Sequence, residues 1–485
     1  PMDPDTHARL QEARRLDREG EPGRAALAYK LVLRTDPGCL EAKVDLAGLL
    51  LQMGRYPEAL DLCTEALEAR PGHRGALQNL VGTLLGLERF DEAERHCRGL
   101  LQLDPRCAQA CQGLGLCSAA RGETLEAEAF FRKARELDPE DPGVRTSLLR
   151  SLYQRRAWSE VRPLWMEVIE RTMEGPLALF EKGVLHLTYG NLEEGWEGYE
   201  SRFTPPNRAA PRLEPPVPLW DGSPFEGRTL LLHYEQGFGD TLMCIRYASR
   251  ARALGGRVAA LVQPELLPVL RSCPGVDHWF TLADPVPPFD LHLPLLSLPR
   301  VFGTRLASIP APIPYLQAPR EASPVDGAVE PSPNLKVGLV WAGNRIHTLD
   351  FLRTLPLTGL GVLAGVPGVD WYGLQVGYEG GLPFEGLRDL APRLRDFGDT
   401  ARVLEQLDLL VTVDTAVAHL AGAMGLPVWL MLPLLPDWRW LLEGEETPWY
   451  PTLRLFRQQN DNRWDDVLAR IAESLNHLVS QRHGS

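Results

Sequence analysis

The chain has 485 residues, 44% apolar and 24% charged. That is enough for about three domains with real cores, and it excludes a single small module or a disordered polymer. Its 51 basic and 64 acidic residues leave a net charge of −13, so no general pull toward nucleic-acid phosphates or anionic lipid is expected. The longest mostly apolar stretch, Gly425 to Leu435, carries two prolines and is far short of the roughly 20 residues of a membrane-spanning helix. The start, Pro1-Met2-Asp3-Pro4-Asp5, lacks a basic segment followed by an apolar one, and the expectation is a cytoplasmic protein whose eight cysteines stay reduced.

In chain order, the first feature is a repeat. Pro37, Pro71, Pro105 and Pro139 stand 34 residues apart, and Ala25, Ala59, Ala93 and Ala127 keep the same step. Period and positions resemble the tetratricopeptide pattern, in which two antiparallel helices pack through small residues and a proline follows the second. A fifth copy keeps Leu148 and Trp165 in phase but has Met173 at the proline position, and a sixth keeps Gly183 and Tyr199. Residues 1–203 are therefore expected to form about six repeats, the last two degenerate. Their concave surface suits an extended protein or peptide segment, and either face can self-associate into a homo-oligomer. Cys107, Cys111 and Cys117 lack paired two-residue spacing, so packing is expected of them rather than metal ligation.

Residues 204–227 hold seven prolines and read as a linker. Thr229 to His233, Arg257 to Val262, Asp277 to Leu282 and Asp290 to Leu293 read as strands, with a helix over Thr241–Leu254. Residues 228–316 thus form an N-terminal α/β half. Residues 317–335 read as a hinge, and 336–485 as a second α/β half with strands at Lys336–Trp341, Trp371–Gln375, Leu407–Val413 and Val428–Leu432. An amphipathic helix from Trp464 to Val479 closes the chain and is expected to pack across both halves. Open parallel sheets bind ligands where their strands end, so a cleft between the halves is expected.

Three segments carry candidate chemistry. Gln236-Gly237-Phe238-Gly239-Asp240 follows a strand and opens a helix, where glycines let backbone N–H groups approach an anion. Asp240 is either a cap, as Asp often is, or a base for an acceptor hydroxyl. Asp414-Thr415-Ala416, with His419 one turn on, begins a small-residue helix suited to a diphosphate, although His419 equally fits a core. After Trp341 come Asn344, Arg345, His347 and Arg353, amide and cationic groups that suit a nucleotide. Gln375 and the Leu432–Pro436 backbone are placed for the base. Trp438 and Arg439 either stack on donor or fill a core.

Two motifs, Gly237-x-Gly239-Asp240-x-Leu242 and Asp414-Thr415-x-x-x-His419-Leu420-Ala421, resemble the bacterial heptosyltransferase family over about Thr229 to Gln458. The repeats ahead of them resemble the layout of intracellular protein O-linked N-acetylglucosamine transferases. The resemblance implies a GT-B pair of Rossmann-like domains and a metal-independent, inverting glycosyltransferase without a cofactor. It implies Asp240 as general base, and Asp414, Thr415 and His419 near the diphosphate of a nucleotide-sugar donor. Two departures stand out: Ala416 replaces the family's glycine, and no lysine follows the first strand of the second half. The expectation is a glycosyltransferase whose repeats hold a protein or peptide acceptor. Its rivals are an inactive peptide-binding scaffold and a transferase for lipid or saccharide.

Overall fold

The computed structural model describes residues 3–205, 215–310, 312–343, 350–459 and 463–483. The chain divides into two compact units, Pro1–Val168 and Ile169–Ser485.

The first unit is an all-helical array: α1 (Pro4–Arg18), α2 (Pro22–Thr35), α3 (Leu40–Gln52), α4 (Tyr56–Ala69), α5 (Arg74–Gly86), α6 (Phe90–Leu103), α7 (Ala108–Ala120), α8 (Thr124–Leu137), α9 (Pro142–Gln154) and α10 (Trp158–Thr172), the last running through the division. The 34-residue period is a packing period. Ala25, Ala59, Ala93 and Ala127 are fully buried in the second helix of each pair, and Leu46, Leu80, Leu114 and Leu148 are buried in the first. The small side chains allow close approach: a Cβ on Gly115 would stand 2.5 Å from the Phe131 ring. The turn inside each pair repeats as well. Positions 20, 54, 88, 122, 156 and 190 all take a positive φ, at Gly20, Gly54, Gly122 and Gly190 but also at Glu88 and Arg156, where a Cβ makes that conformation costly. Between pairs, Asp36, Asp104 and Asp138 accept the N–H two residues on, across the proline. All eight cysteines are buried and unpaired, with burial pushing the Cys63 and Cys97 thiols up to about 12.

The second unit opens with a further hairpin of the same form, α11 (Gly175–Thr188) and α12 (Leu192–Tyr199), and a turn at Glu200–Phe203. A Cβ on Gly183 would stand 2.6 Å from the Gly198 backbone. This hairpin keeps the repeat's phase, yet the compact division falls at 168 rather than after 203, because its side chains belong to the α/β core. Trp196 and Tyr199 join the cluster that holds the first sheet, and Arg300 and Arg305 pair with Glu197 and Glu193.

Two parallel sheets follow. The first contains β1 (Thr229–His233), β2 (Arg257–Leu261), β3 (His278–Phe280) and β4 (Leu291–Pro294) in the order β3-β2-β1-β4. The single helix expected over Thr241–Leu254 is instead α13 (Phe238–Cys244), a 3-10 turn at Ile245–Tyr247, and α14 (Ala248–Arg252); short helices α15 (Leu267–Leu270) and α16 (Leu298–Val301) complete this half. The second sheet contains β5 (Leu335–Val340), β6 (Val369–Gly373), β7 (Arg388–Asp389), β8 (Leu409–Val413), β9 (Val428–Leu432) and β10 (Leu453–Arg457), ordered β10-β9-β8-β5-β6-β7. Its helices are α17 (Asp350–Arg353), α18 (Leu357–Ala364), α19 (Phe397–Leu404), α20 (Ala416–Ala423) and α21 (Asp465–His483). The short edge strand β7 and the strand β10 go beyond the sequence reading.

Neither proline-rich segment is a bare tether. Trp220 and Phe225 are buried, and Leu219 bridges in parallel to His292 of β4. In the second segment Val325 and Val329 are buried, and Ser323 and Asp326 bond Asp399 and Arg402 of α19. The closing helix α21 does not pack across both halves: Val467, Leu468, Ile471 and Leu475 fill a core with the second sheet and α18. Instead the halves are joined by α13 against α20 within one continuous apolar core. The buried Arg246 donates to the Trp449 carbonyl (2.9 Å) and the Tyr315 hydroxyl (3.0 Å), tying the halves together.

Candidate functional site

The loop after β1 descends from a buried base to a partly open turn. Glu235 is buried, and its Oε1 accepts from Arg202 Nη2 (3.1 Å) and from the Leu296 N–H (3.2 Å). Arg202, itself fully buried, also donates to Glu200 (2.7 Å) and Ser297 (2.8 Å). Sharing one guanidinium with Glu200 compensates Glu235 only in part, and burial pushes its carboxyl up to about 7. Gln236 accepts from the Tyr199 hydroxyl (3.3 Å), and its carbonyl accepts from Gln263 (3.1 Å). Gly237 is exposed and is the N-cap of α13.

Asp240 caps its helix and is also ion-paired. It sits in the first turn rather than at the N-cap, and its Oδ2 accepts the Gly237 N–H at 2.8 Å, the acidic arm of a capping arrangement. Its Oδ1 is ion-paired with Arg439 from the other half, 199 residues away. Arg439 also holds Asp437 at 2.7 Å and lies 4.2 Å over the Trp438 ring. It is a buried cation matched by two carboxylates. Trp438 is buried too, edge-on to Trp196 (5.2 Å), Tyr199 (5.9 Å) and Trp449 (6.2 Å). Its indole is a core strut, with Arg439 over its face.

On the second half, Asp414 follows β8 and Thr415 is the N-cap of α20, its hydroxyl 3.3 Å from that of Thr412. Ala416 is the first helical residue and is half-buried. Burial pushes the Asp414 carboxyl up to about 6; the charge of Asp437 adds to the rise and Arg353 opposes it. Arg353 Nη1 donates to the Asp414 carbonyl at 3.2 Å. His419 shares a 2.9 Å hydrogen bond with the Tyr450 hydroxyl and packs on Trp440, ring centroids 5.1 Å apart. Burial holds its imidazole well below the usual range, so the ring is neutral at pH 7.

The two motifs therefore meet. A Cβ on Gly239 would stand 2.8 Å from His419 Cδ2, so glycine here lets the second motif's ring lie against the first motif's turn. Asp240, Gly239, His419 and Arg439 form one contact set, with Asp414 and Thr415 at the start of the same helix as His419. Gln375, after β6, is drawn to the loop after β5, where its Oε1 accepts the N–H groups of Trp341 (3.1 Å) and Ala342 (2.8 Å). Asn344, Arg345 and His347 lie outside the described residues. Sequence reasoning missed Asp437, Tyr450, Glu235 and Arg202. Asp437 stood two residues before Arg439 as a readable ion-pair spacing, whereas Arg202 carried no local signal.

The first unit has a separate concavity of about 560 Å³ between α1, α3 and α5. Arg14, Arg18, Asp45, Gln78 and Asn79 line it, with Arg14 bonded to Asp45 (2.6 Å) and Asn79 to the Val44 carbonyl (2.9 Å). Among the described residues no helix is long and apolar enough to cross a membrane.

Comparison with known proteins bears mainly on the array. Residues 18–84, 50–114 and 84–152 match the tetratricopeptide repeat model, so the chain carries tetratricopeptide repeats, a fold that serves protein–protein contact. Protein FlbA of Caulobacter vibrioides is 27% identical over 62% of this chain, which reaches beyond the array; the chain covers 55% of FlbA's own length. Among solved structures, pilF of Pseudomonas aeruginosa is 20% identical over 41% of this chain and 92% of its own (TM-score 0.34). MamA of Desulfovibrio magneticus RS-1 is 21% identical over 35% of this chain and 97% of its own (TM-score 0.31).

Proposed function

We propose that the second unit is an inverting glycosyltransferase of GT-B type, using a nucleotide-sugar donor, and that the repeat array holds its protein or peptide acceptor. The observation that carries this reading is the meeting of the two motifs: Gly239 and Asp240 of the first half lie against His419 and Arg439 of the second. Both motifs follow the carboxyl ends of parallel strands, where such sheets bind ligands.

In the proposed step Asp240 takes the proton of an acceptor hydroxyl while the hydroxyl oxygen of the acceptor bonds to the anomeric carbon. The bond from that carbon to phosphate breaks, and the nucleoside diphosphate leaves with the electron pair. The first turn of α20, the Thr415 hydroxyl and the cations Arg353 and Arg439 would receive the leaving charge. Neutral His419, held by Tyr450, would position this helix start rather than supply charge.

A second reading, an inactive peptide-binding scaffold, is favoured by one observation: Asp240 is already engaged by both the Gly237 N–H and Arg439. Sugar transfer onto protein acceptors, assayed across labelled nucleotide sugars, separates the two. The transferase reading expects turnover by the natural chain and its loss by at least about 100-fold in Asp240→Asn, with folding intact. Normal turnover in Asp240→Asn, or none by the natural chain with any donor, would defeat it.

A further inference from the structure

We propose that Arg439 is a donor-operated latch on Asp240: its guanidinium holds the base until a donor diphosphate draws it away. This rests on the transferase reading above and deepens it.

The division of labour at Asp240 is the starting point. Oδ2 is committed to the cap of α13, and Oδ1, the oxygen left for an acceptor proton, is the one Arg439 occupies. Arg439 is buried and has two carboxylate partners, Asp240 and Asp437, on different elements. A buried cation can give up one partner only if another negative charge takes its place. Asp437, two residues before it, shares its short turn; Asp240 lies on the other half. The partner exchanged is therefore Asp240, and a diphosphate supplies the replacing charge, in the bidentate form guanidinium favours.

The short turn that carries Arg439 is fixed on both sides. Trp438 is packed among Trp196, Tyr199 and Trp449, and Trp440 is packed on His419 in the helix that Thr415 begins. Only the long Arg439 side chain is left to swing, and it starts beside the proposed diphosphate site. Acceptor arriving first meets an occupied base; acceptor arriving after donor meets a free one. The latch thus imposes donor-first order and ties activation of the base to the presence of a leaving group.

A double-mutant cycle on the full chain tests this, with nucleoside diphosphate affinity read by calorimetry on the natural chain, Asp240→Asn, Arg439→Gln and the double variant. UDP, GDP, ADP, CDP and dTDP are the probes. Asparagine keeps an oxygen for the Gly237 N–H but has no charge for Arg439, so Asp240→Asn should tighten binding by about fivefold or more while Arg439→Gln weakens it by about tenfold. In the Arg439→Gln background the same Asp240→Asn change should alter affinity by less than about twofold. A gain that persists undiminished there would be plain removal of negative charge, and an unchanged or weaker affinity of Asp240→Asn would make the pair structural; either overturns the latch alone. Melting curves establish that each variant is folded, and Asp240→Ser repeats the cycle should asparagine unfold the chain. Binding of no diphosphate by any variant would overturn the transferase reading together with the latch.

Discussion

The array and the α/β unit are built on opposite principles. In the array each residue has the same surroundings as its counterpart 34 positions away, so Ala59, Ala93 and Ala127 are buried for one reason, and most packing partners lie within one or two helices. In the α/β unit the decisive contacts are single and distant: Asp240 with Arg439, Gly239 with His419, Arg202 with Glu235 and Ser297. Repetition makes a fold readable and tolerant, whereas unique long-range contacts make a site. The α11–α12 hairpin shows the transition, keeping the phase of a repeat while its Trp196 and Tyr199 pack into the α/β core of its own unit.

The sharpest way to break this comparison is Arg202. Arg202→Ala strands Glu235 and should cost about 3–5 kcal/mol, and hydrogen exchange should localise the loss to residues 169–485 with the array's protection intact. Loss of protection in α1–α8 as well would mean the units are not separable. Next come two glycines in the same steric position. Gly115→Ala, against Phe131, and Gly239→Ala, against His419, should each cost about 1–3 kcal/mol by overpacking. Only the second should alter nucleotide binding, as calorimetry would show.

A further effect follows from pH. Glu235 has its folded-state value raised to about 7 from an ordinary 4.5, so between those values the unfolded chain has lost the proton that the folded chain keeps. Glu235 therefore removes stability as pH rises from about 4.5 to 7 and changes nothing further above that. Glu235→Gln should flatten this segment of the stability profile by about 3 kcal/mol; an unchanged slope would contradict the assignment. The smallest change sharpens the array's side. Glu88 takes the left-handed conformation that Gly54 and Gly122 take in neighbouring repeats, so Glu88→Gly should stabilise the array by about 0.5–1 kcal/mol in denaturant melts.

The same contrast explains what the sequence made legible. The period of proline and alanine located the repeats, and apolar runs located eight of the ten strands, including β1, β5 and β8. The strand β10 was missed because it follows a tryptophan-rich stretch left open between donor contact and core, and β7 because two edge residues carry no pattern. At the site, Asp240 and Asp414 could be singled out because each lies between a strand and the first turn of a helix, and His419 because it lies one turn into the second of these helices. The pairing of Asp240 with Arg439 could not, since nothing local links residues 199 apart. Trp438 could not be assigned between ligand and core until Trp196 was seen beside it.

The central claim, that the two motifs together form a nucleotide-sugar site, is tested most directly by a thermal-shift panel of UDP-, GDP-, ADP-, CMP- and dTDP-linked sugars on the full chain and on Thr415→Ala. A ligand that binds only the folded state raises the melting temperature by mass action. The account predicts a shift with one nucleotide class that vanishes in Thr415→Ala. No shift with any donor, or a shift that survives in Thr415→Ala, would contradict it.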